Sequence, residues 1–217
     1  MPESSPAALG WRRYATPELV LGAGQRVTPE LRARAAAREV DVVMRESGGG
    51  AVLTGPWLLG LSLRLAPQSA AARAGLRESF RHFGAACRDA LEEIGVAAAL
   101  ASEADIARSA AQCVARDLRW ACFGSLSHGE IVDRAGRKLL GLAQSRRRGG
   151  VLLEGGLLLS EPDWELLCEL FGRPAAAGAA LREATAAADR RAFDPEVFCA
   201  GLRRAVARHF PEESRLR

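Results

Sequence analysis

Lysine is all but missing from this chain. The sequence carries 30 Lys plus Arg, and reading along it finds one lysine, Lys138; every other basic side chain is arginine. The net charge is only +4, scattered along the chain, which is too small an excess to announce a nucleic-acid partner. The five cysteines are an odd number, with no CxxC pair and no zinc-like spacing to the three histidines. A disulfide framework and a structural zinc site are thereby excluded, and reduced thiols in a cytoplasmic protein are expected. Met1–Tyr14 lacks the apolar core of a signal peptide, and no apolar run approaches the ~18 residues of a membrane span. Neither secretion nor membrane insertion is expected. The sequence has no Gly-Lys-Ser/Thr of a Walker loop, no nucleophile elbow and no internal repeat.

What is present suits one globular domain spanning residues 1–217, with 1–10 loose and a helical tail over 161–217. Glu18–Ala23, Val40–Met44, Trp57–Ala66, Leu118–Phe123 and Val151–Leu159 read as strands, the last broken by Gly155-Gly156. Val96–Leu100 reads as a short strand. Thr28-Pro29-Glu30 starts a helix that runs to about Arg38. Ser69–Ile94 has apolar residues at helical spacing, and Glu103–Val114 is open between helix and loop. After Ser160 the pattern is helical over Pro162–Phe171, Ala175–Ala188 and Asp194–His209, the last capped by Asp194-Pro195-Glu196. Mixed elements followed by clustered helices predict an α+β fold, with a mixed, largely antiparallel sheet flanked by helices and a helical C-terminal tail.

Three places could carry chemistry. Lys138 keeps an ammonium where every other basic position is a guanidinium, and the two differ in shape and in the ease of losing a proton. It sits at the start of a return strand, after Glu130-Ile131-Val132 and the Ala135-Gly136 turn; a leftover solvated lysine is the plain alternative. The run Gly48-Gly49-Gly50, between apolar strands, marks either a close backbone approach to an anion or a flexible loop. The thiol of Cys122, in Trp120-Ala121-Cys122-Phe123, reads by itself as that of a small buried residue in an apolar strand. Cys87, Cys113, Cys168 and Cys199 look structural.

The paired motifs resemble the biotin and lipoate–protein ligase family. Arg45 to Val52, with its RxSGGGAV run, is similar to that family's glycine-rich motif. Gly136-Arg137-Lys138-Leu139-Leu140-Gly141-Leu142-Ala143-Gln144, with Arg146 beyond, is similar to its lysine motif. Order and spacing agree over roughly residues 11 to 209. The resemblance implies transfer of a lipoyl or octanoyl group to a lysine of a lipoyl carrier domain, as in 2-oxoacid dehydrogenases or a glycine-cleavage-type protein. In a ligase, ATP with Mg activates lipoate or octanoate as an acyl-adenylate, and Lys138 would meet charge developing on the acyl and phosphate oxygens. Arg45, Ser47, Gly48, Gly49, Gly50, Ala51, Gly141 and Ala143 would bind substrate. The family's other branch needs no ATP. It takes octanoate from acyl carrier protein onto a cysteine in a Cys-Phe pair, the place of Cys122-Phe123, with a downstream Glu at the place of Glu130.

Several positions depart from the family pattern. Met44 stands for the first Arg before the glycine run, Thr54-Gly55 for a His-Asp pair, and Glu154-Gly155-Gly156 for His-Gly-Ser. An opening helix and strand before Trp11 and a C-terminal accessory domain are not found in the sequence, so an accessory subunit would come from another chain. These departures keep a degenerate, non-catalytic acyl- or carrier-binding relative open beside the enzyme. A nucleic-acid binder built on Arg146-Arg147-Arg148 lacks interleaved aromatics, and the triplet reads better as a docking patch for an acidic carrier domain. Because Cys122 falls in so apolar a strand, the ligase reading is placed ahead of the thioester reading. Lys138→Arg is expected to abolish transfer with the fold intact.

Overall fold

In the computed structural model, residues 8–189 and 193–211 are described. Leucine alternation builds its centre. Along β5 (Leu58–Leu65), Leu59, Leu61, Leu63 and Leu65 are all buried on one face. Successive side chains of a strand point to opposite faces, so these four form one apolar row. Its antiparallel neighbours are β1 (Ala8–Arg13) on one side and β9 (Gly150–Leu158) on the other. The sheet continues through β8 (Lys138–Arg147), β7 (Ile131–Val132) and β6 (Ala99–Leu100), six strands in the order β1-β5-β9-β8-β7-β6 with every pair antiparallel. A second sheet, β3-β2-β4, joins β2 (Glu18–Leu21) in parallel to β3 (Asp41–Met44) and antiparallel to β4 (Val52–Thr54).

Helices cover the leucine face of the large sheet. In α3 (Leu76–Glu93), Phe80, Phe83, Cys87 and Leu91 recur at helical spacing and are buried there. They pack with Phe198, Cys199, Leu202 and Val206 of α7 (Pro195–His209) over Leu61, Leu63, Leu153 and Leu157. The opposite face meets the small sheet in a second core. There Leu58 and Leu158 join Leu19, Leu21 and Leu53 with Trp164, Leu167 and Leu170 of α5 (Trp164–Phe171) and Leu181 of α6 (Ala175–Ala184). The remaining helices are α1 (Pro29–Ala37), α2 (Ala70–Arg73) and α4 (Glu103–Ala115). The α+β class, the largely antiparallel sheet and the C-terminal helices are those the sequence predicts.

Local chemistry explains most boundaries. Thr28 Oγ1 accepts from the Leu31 N–H at 3.2 Å with Pro29 at the first turn, and Asp194 accepts from Glu196 N–H at 2.9 Å. Residues 103–115, open in the sequence, are helical because Ser102 and Asp105 form a reciprocal capping box.

Four expectations need correction. Residues 8–10 belong to β1, while 1–7 lie outside the described residues. The long helix expected over 69–94 is two helices, parted at Gly75, whose φ of 98° leaves the helical region. Gly155 and Gly156 do not break β9, because both are paired in register on both sides, to Leu61 and Gly60 and to Leu142 and Gly141. Neighbouring strands override a weak local preference there. The strand expected over Leu118–Phe123 is absent. Its backbone closes turns instead, Ala121 N–H to Leu118 O at 3.0 Å and Gly124 N–H to Ala121 O at 3.0 Å, and Cys122–Gly124 is a single 3-10 turn.

Candidate active site

The cleft begins as a strip of sheet with almost no side chains. On the face away from α3 and α7, cross-strand register places Gly60, Gly156 and Gly141 in one row. The next row holds Gly10, Ser62, Glu154 and Ala143. Large residues flank these rows, so the missing side chains leave a hollow between the two sheets. Its volume is about 510 Å³, part of it open to solvent. Gly141, Leu142, Ala143, Glu154, Gly155 and Gly156 line the floor; Tyr14, Arg45, Thr54, Leu58, Cys122 and Phe123 line the walls.

Cys122 is the most firmly held of these. Its N–H donates to the Ala51 carbonyl at 2.9 Å, and the Ala51 N–H donates to the Trp120 carbonyl at 2.7 Å. Its own carbonyl accepts from Lys138 Nζ at 2.9 Å. Gly50 presses against the same peptide: a Cβ there would stand 2.6 Å from Ala121 C and 2.7 Å from Cys122 N. At Gly50 the close approach of the glycine run is to the chain's own backbone at Cys122, with Arg45 Nη2 bridging the Gly48 and Gly50 carbonyls at 2.9 Å each. The thiol is half-buried, in contrast to Cys87, Cys113, Cys168 and Cys199, which are buried. Burial pushes the Cys87 thiol well above the usual range, and it pushes Cys199 up to about 12. Those two are poor nucleophiles.

Lys138 reaches this face through an irregularity. The β7–β8 register pairs Val132 with Lys138 and Ile131 with Leu140, a shift of one residue. Residues 138 and 141 would point to opposite faces of a regular strand; the bulge turns them to the same side. A Cβ on Gly141 would lie 3.0 Å from Lys138 Cε and 3.4 Å from Nζ. The ammonium therefore stands one side-chain-free residue behind the cleft wall. It is fully buried and makes three close contacts: Glu130 Oε1 at 2.7 Å, and the carbonyls of Cys122 and Ser125 at 2.9 Å each. Glu130 in turn accepts the N–H groups of Leu142 and Ser127, at 2.9 and 2.8 Å. One buried ion pair thus fastens the Cys122 segment to β8.

The sequence's candidates divide accordingly. Arg45, Cys122, Gly141 and Ala143 line the cleft. Lys138, Gly48, Gly49, Gly50 and Ala51 do not line it. Ser47, also outside the lining, is buried and donates its hydroxyl to Glu154 Oε2 at 2.6 Å. Sequence reasoning missed Glu154 and Tyr14 as cleft residues and left Glu130 out of the site. The signal for Glu154 was there, a lone carboxylate inside an apolar strand. Thr54, at the position of the family's His, ties its hydroxyl to the Glu18 carbonyl at 3.1 Å.

Gly50→Ala tests the role given to the glycine run. Its methyl collides with backbone, which cannot swing aside, so a loss of about 1–3 kcal/mol is expected. Denaturant unfolding measures it, and reactivity of Cys122 towards a thiol reagent should change with it. Wild-type values for both would reduce the run to an ordinary loop.

The fold is shared with lipoate–protein ligases of known structure. A lipoate–protein ligase A bound with ATP superimposes with a TM-score of 0.65, at 17% identity, covering 97% of this chain and 79% of that one. A bipartite lipoate–protein ligase of Thermoplasma acidophilum, solved with its E2 lipoyl domain, gives 0.64 at 15% identity, covering 97% and 77%. The model of the lipoyl protein ligase A/B catalytic domain matches residues 2–192, and the chain belongs to that family. Among curated relatives, the octanoyltransferase LipM of an Exiguobacterium species is 31% identical over 160 residues, 73% of this chain. The aligned part spans 56% of that relative's length.

Proposed function

We propose that this chain is the catalytic domain of a protein lipoylation enzyme. In this reading it takes an octanoyl group from a carrier thioester onto Cys122 and passes it to a lysine of a lipoyl carrier domain. The observation that carries the reading is the clamp on Cys122, a half-buried thiol in the wall of the cleft with its N–H and C=O both fastened. A nucleophile held that way loses little entropy on attack. In the first step the Cys122 sulfur bonds to the octanoyl carbonyl carbon, the donor carrier's C–S bond breaks, and the thiol proton leaves with the donor sulfur. Lys138 is the positioning residue of this step, since its ammonium holds the Cys122 carbonyl and the loop as far as Ser125. Arg45 lines the same cleft, and its Nε is buried with no hydrogen-bond partner among the described residues. It would meet the oxygen of the acyl group.

The acyl carrier protein as donor, and the lipoyl carrier domain of a 2-oxoacid dehydrogenase or glycine-cleavage-type protein as acceptor, are the partners this chemistry requires. Acidic partners suit the exposed Arg147 and Arg148; Arg146 is already bound to the Ala72 carbonyl and Ser79 Oγ, at 2.6 and 2.8 Å. A second reading is an ATP-dependent ligase, which the shared fold with a ligase bound with ATP favours. There ATP with Mg would supply activation of lipoate or octanoate, and Arg45 would hold the acid or a phosphate. The sequence placed this reading first because Cys122 was expected inside an apolar strand. The 3-10 turn and the cleft wall remove that ground.

The deciding experiment gives the protein octanoyl acyl carrier protein without ATP and weighs it intact. The expected result is one added octanoyl group, mapped to Cys122. Carrier-domain modification that appears only with lipoate and ATP would put the ligase first.

A further inference from the structure

We infer that Glu154 binds the incoming carrier lysine and takes a proton from it to free the amine that attacks the acyl group; this rests on the thioester reading above. The row Gly10, Ser62, Glu154, Ala143 has small residues at every place but one. A glutamate there projects into the space that its neighbours leave empty, and it lines the same cleft as Cys122. Ser47, itself buried, fixes Oε2 at 2.6 Å. Among the described residues Oε1 accepts no hydrogen bond and Glu154 forms no ion pair. Arg45, the one cation lining the cleft, has its Nη2 on the Gly48 and Gly50 carbonyls. The result is an oriented carboxylate with a free oxygen and no cation of the chain's own, in a cleft otherwise lined mostly by apolar and small residues.

The reaction supplies that cation. A lysine side chain has a pKa near 10.4, so roughly one in 2,500 is a free amine at pH 7. Attack on a thioester needs the amine. With an ammonium docked on Glu154, the proton passes first from Nζ to the carboxylate, and the amine so formed turns its lone pair onto the acyl carbon to make the N–C bond. The C–S bond to Cys122 then breaks, and the sulfur leaves as thiolate. The second N–H proton, acidic once nitrogen is bonded to the acyl carbon, goes to that thiolate and restores the thiol. Glu154 releases its proton to water. Charge balances throughout: ammonium and carboxylate become amide and carboxylic acid. General-base contributions of this kind are worth about 10²–10⁴-fold.

The test separates the half-reactions. Wild type and Glu154→Gln, which keeps the shape and the Ser47 bond, are first loaded with octanoyl from octanoyl acyl carrier protein. The acyl-enzymes are then isolated and mixed with a lipoyl domain. Loading should agree within about twofold, whereas transfer by Glu154→Gln should fall about 10²–10⁴-fold at pH 7. The variant's rate should climb about tenfold per pH unit from 7 to 9, following the free-amine fraction, while the wild type stays flatter. Glu154→Asp should recover part of the rate. Transfer within threefold of wild type, or loading and transfer falling together with no change in pH slope, would overturn the inference. A wild type that never gains an octanoyl group refutes the thioester reading instead. The same loss and pH slope in lipoate- and ATP-dependent carrier modification would then uphold Glu154, and their absence would reject it.

Discussion

Replacing Cys122 by alanine should abolish octanoyl transfer while the protein stays folded. Removing a covalent nucleophile takes away a bond that no neighbour can form, so the expected loss is at least about 10³-fold, down to background. Among the described residues that line the cleft, no other thiol stands ready to replace it. The packing cost is small: one sulfur atom at a half-buried position, about 1 kcal/mol or less. Backbone contacts to Ala51 and Lys138 involve the N–H and C=O of residue 122 and survive the change. Intact-mass measurement after incubation with octanoyl acyl carrier protein should find no adduct, and thermal unfolding should stay within a few degrees of wild type. A variant that still modifies the carrier at more than a few per cent of the wild-type rate would remove Cys122 from the chemistry and restore the ligase reading.

Lys138→Met should damage both stability and activity, through one cause. Lys138 and Glu130 have side chains 3% and 2% exposed and sit 2.7 Å apart. Removing one partner of a buried pair leaves the other charge without compensation, which costs about 3–5 kcal/mol. Against a total stability of about 5–15 kcal/mol that is a large fraction, and urea unfolding should register it as a much lower midpoint. The Cys122 carbonyl also loses its donor, so loading of Cys122 should slow even in the folded fraction. The double variant Lys138→Met with Glu130→Gln separates the two effects. It should recover much of the stability, because no charge is left unpaired, but not the loading rate. If the double variant is no more stable than the single, the pair is not the unit holding this loop. Lys138→Arg belongs to the same case. The sequence suggested a loss of activity with the fold intact, yet Cε already lies 3.0 Å from where a Cβ of Gly141 would be. A guanidinium has no room there, and stability should fall as well.

The family, the α+β class and the C-terminal helices were legible because each has a local signature. Thr28-Pro29 and Asp194-Pro195 are cap chemistry written in adjacent residues, and leucine alternation in β5 is a period of two. A single lysine among arginines needs no coordinates to be noticed. What was not legible lay at Trp120-Ala121-Cys122-Phe123. Four apolar residues look alike whether they form a strand or a buried turn, and length cannot decide between them. The turn wins because Ala51 and Lys138, distant in sequence, satisfy its backbone. The same distance hid Glu154. Its neighbours in space are Ser62 and Ala143 across the sheet and Ser47 from the glycine loop, and none adjoins it in the chain.

The sequence by itself determined most of the helices and the central strands, since caps, turn residues and hydrophobic periods act over a few residues. It also singled out one ammonium and one glycine run. Only the tertiary structure decided what they do. Lys138 is a buried brace because a one-residue shift between β7 and β8 turns it towards Glu130 and Cys122. Gly50 receives the chain's own backbone because the 118–124 turn comes to lie against it. Cross-strand register then lined up glycines from β5, β8 and β9 to open the cleft. Register and bulges are set by pairing between distant segments, which short-range propensity does not encode.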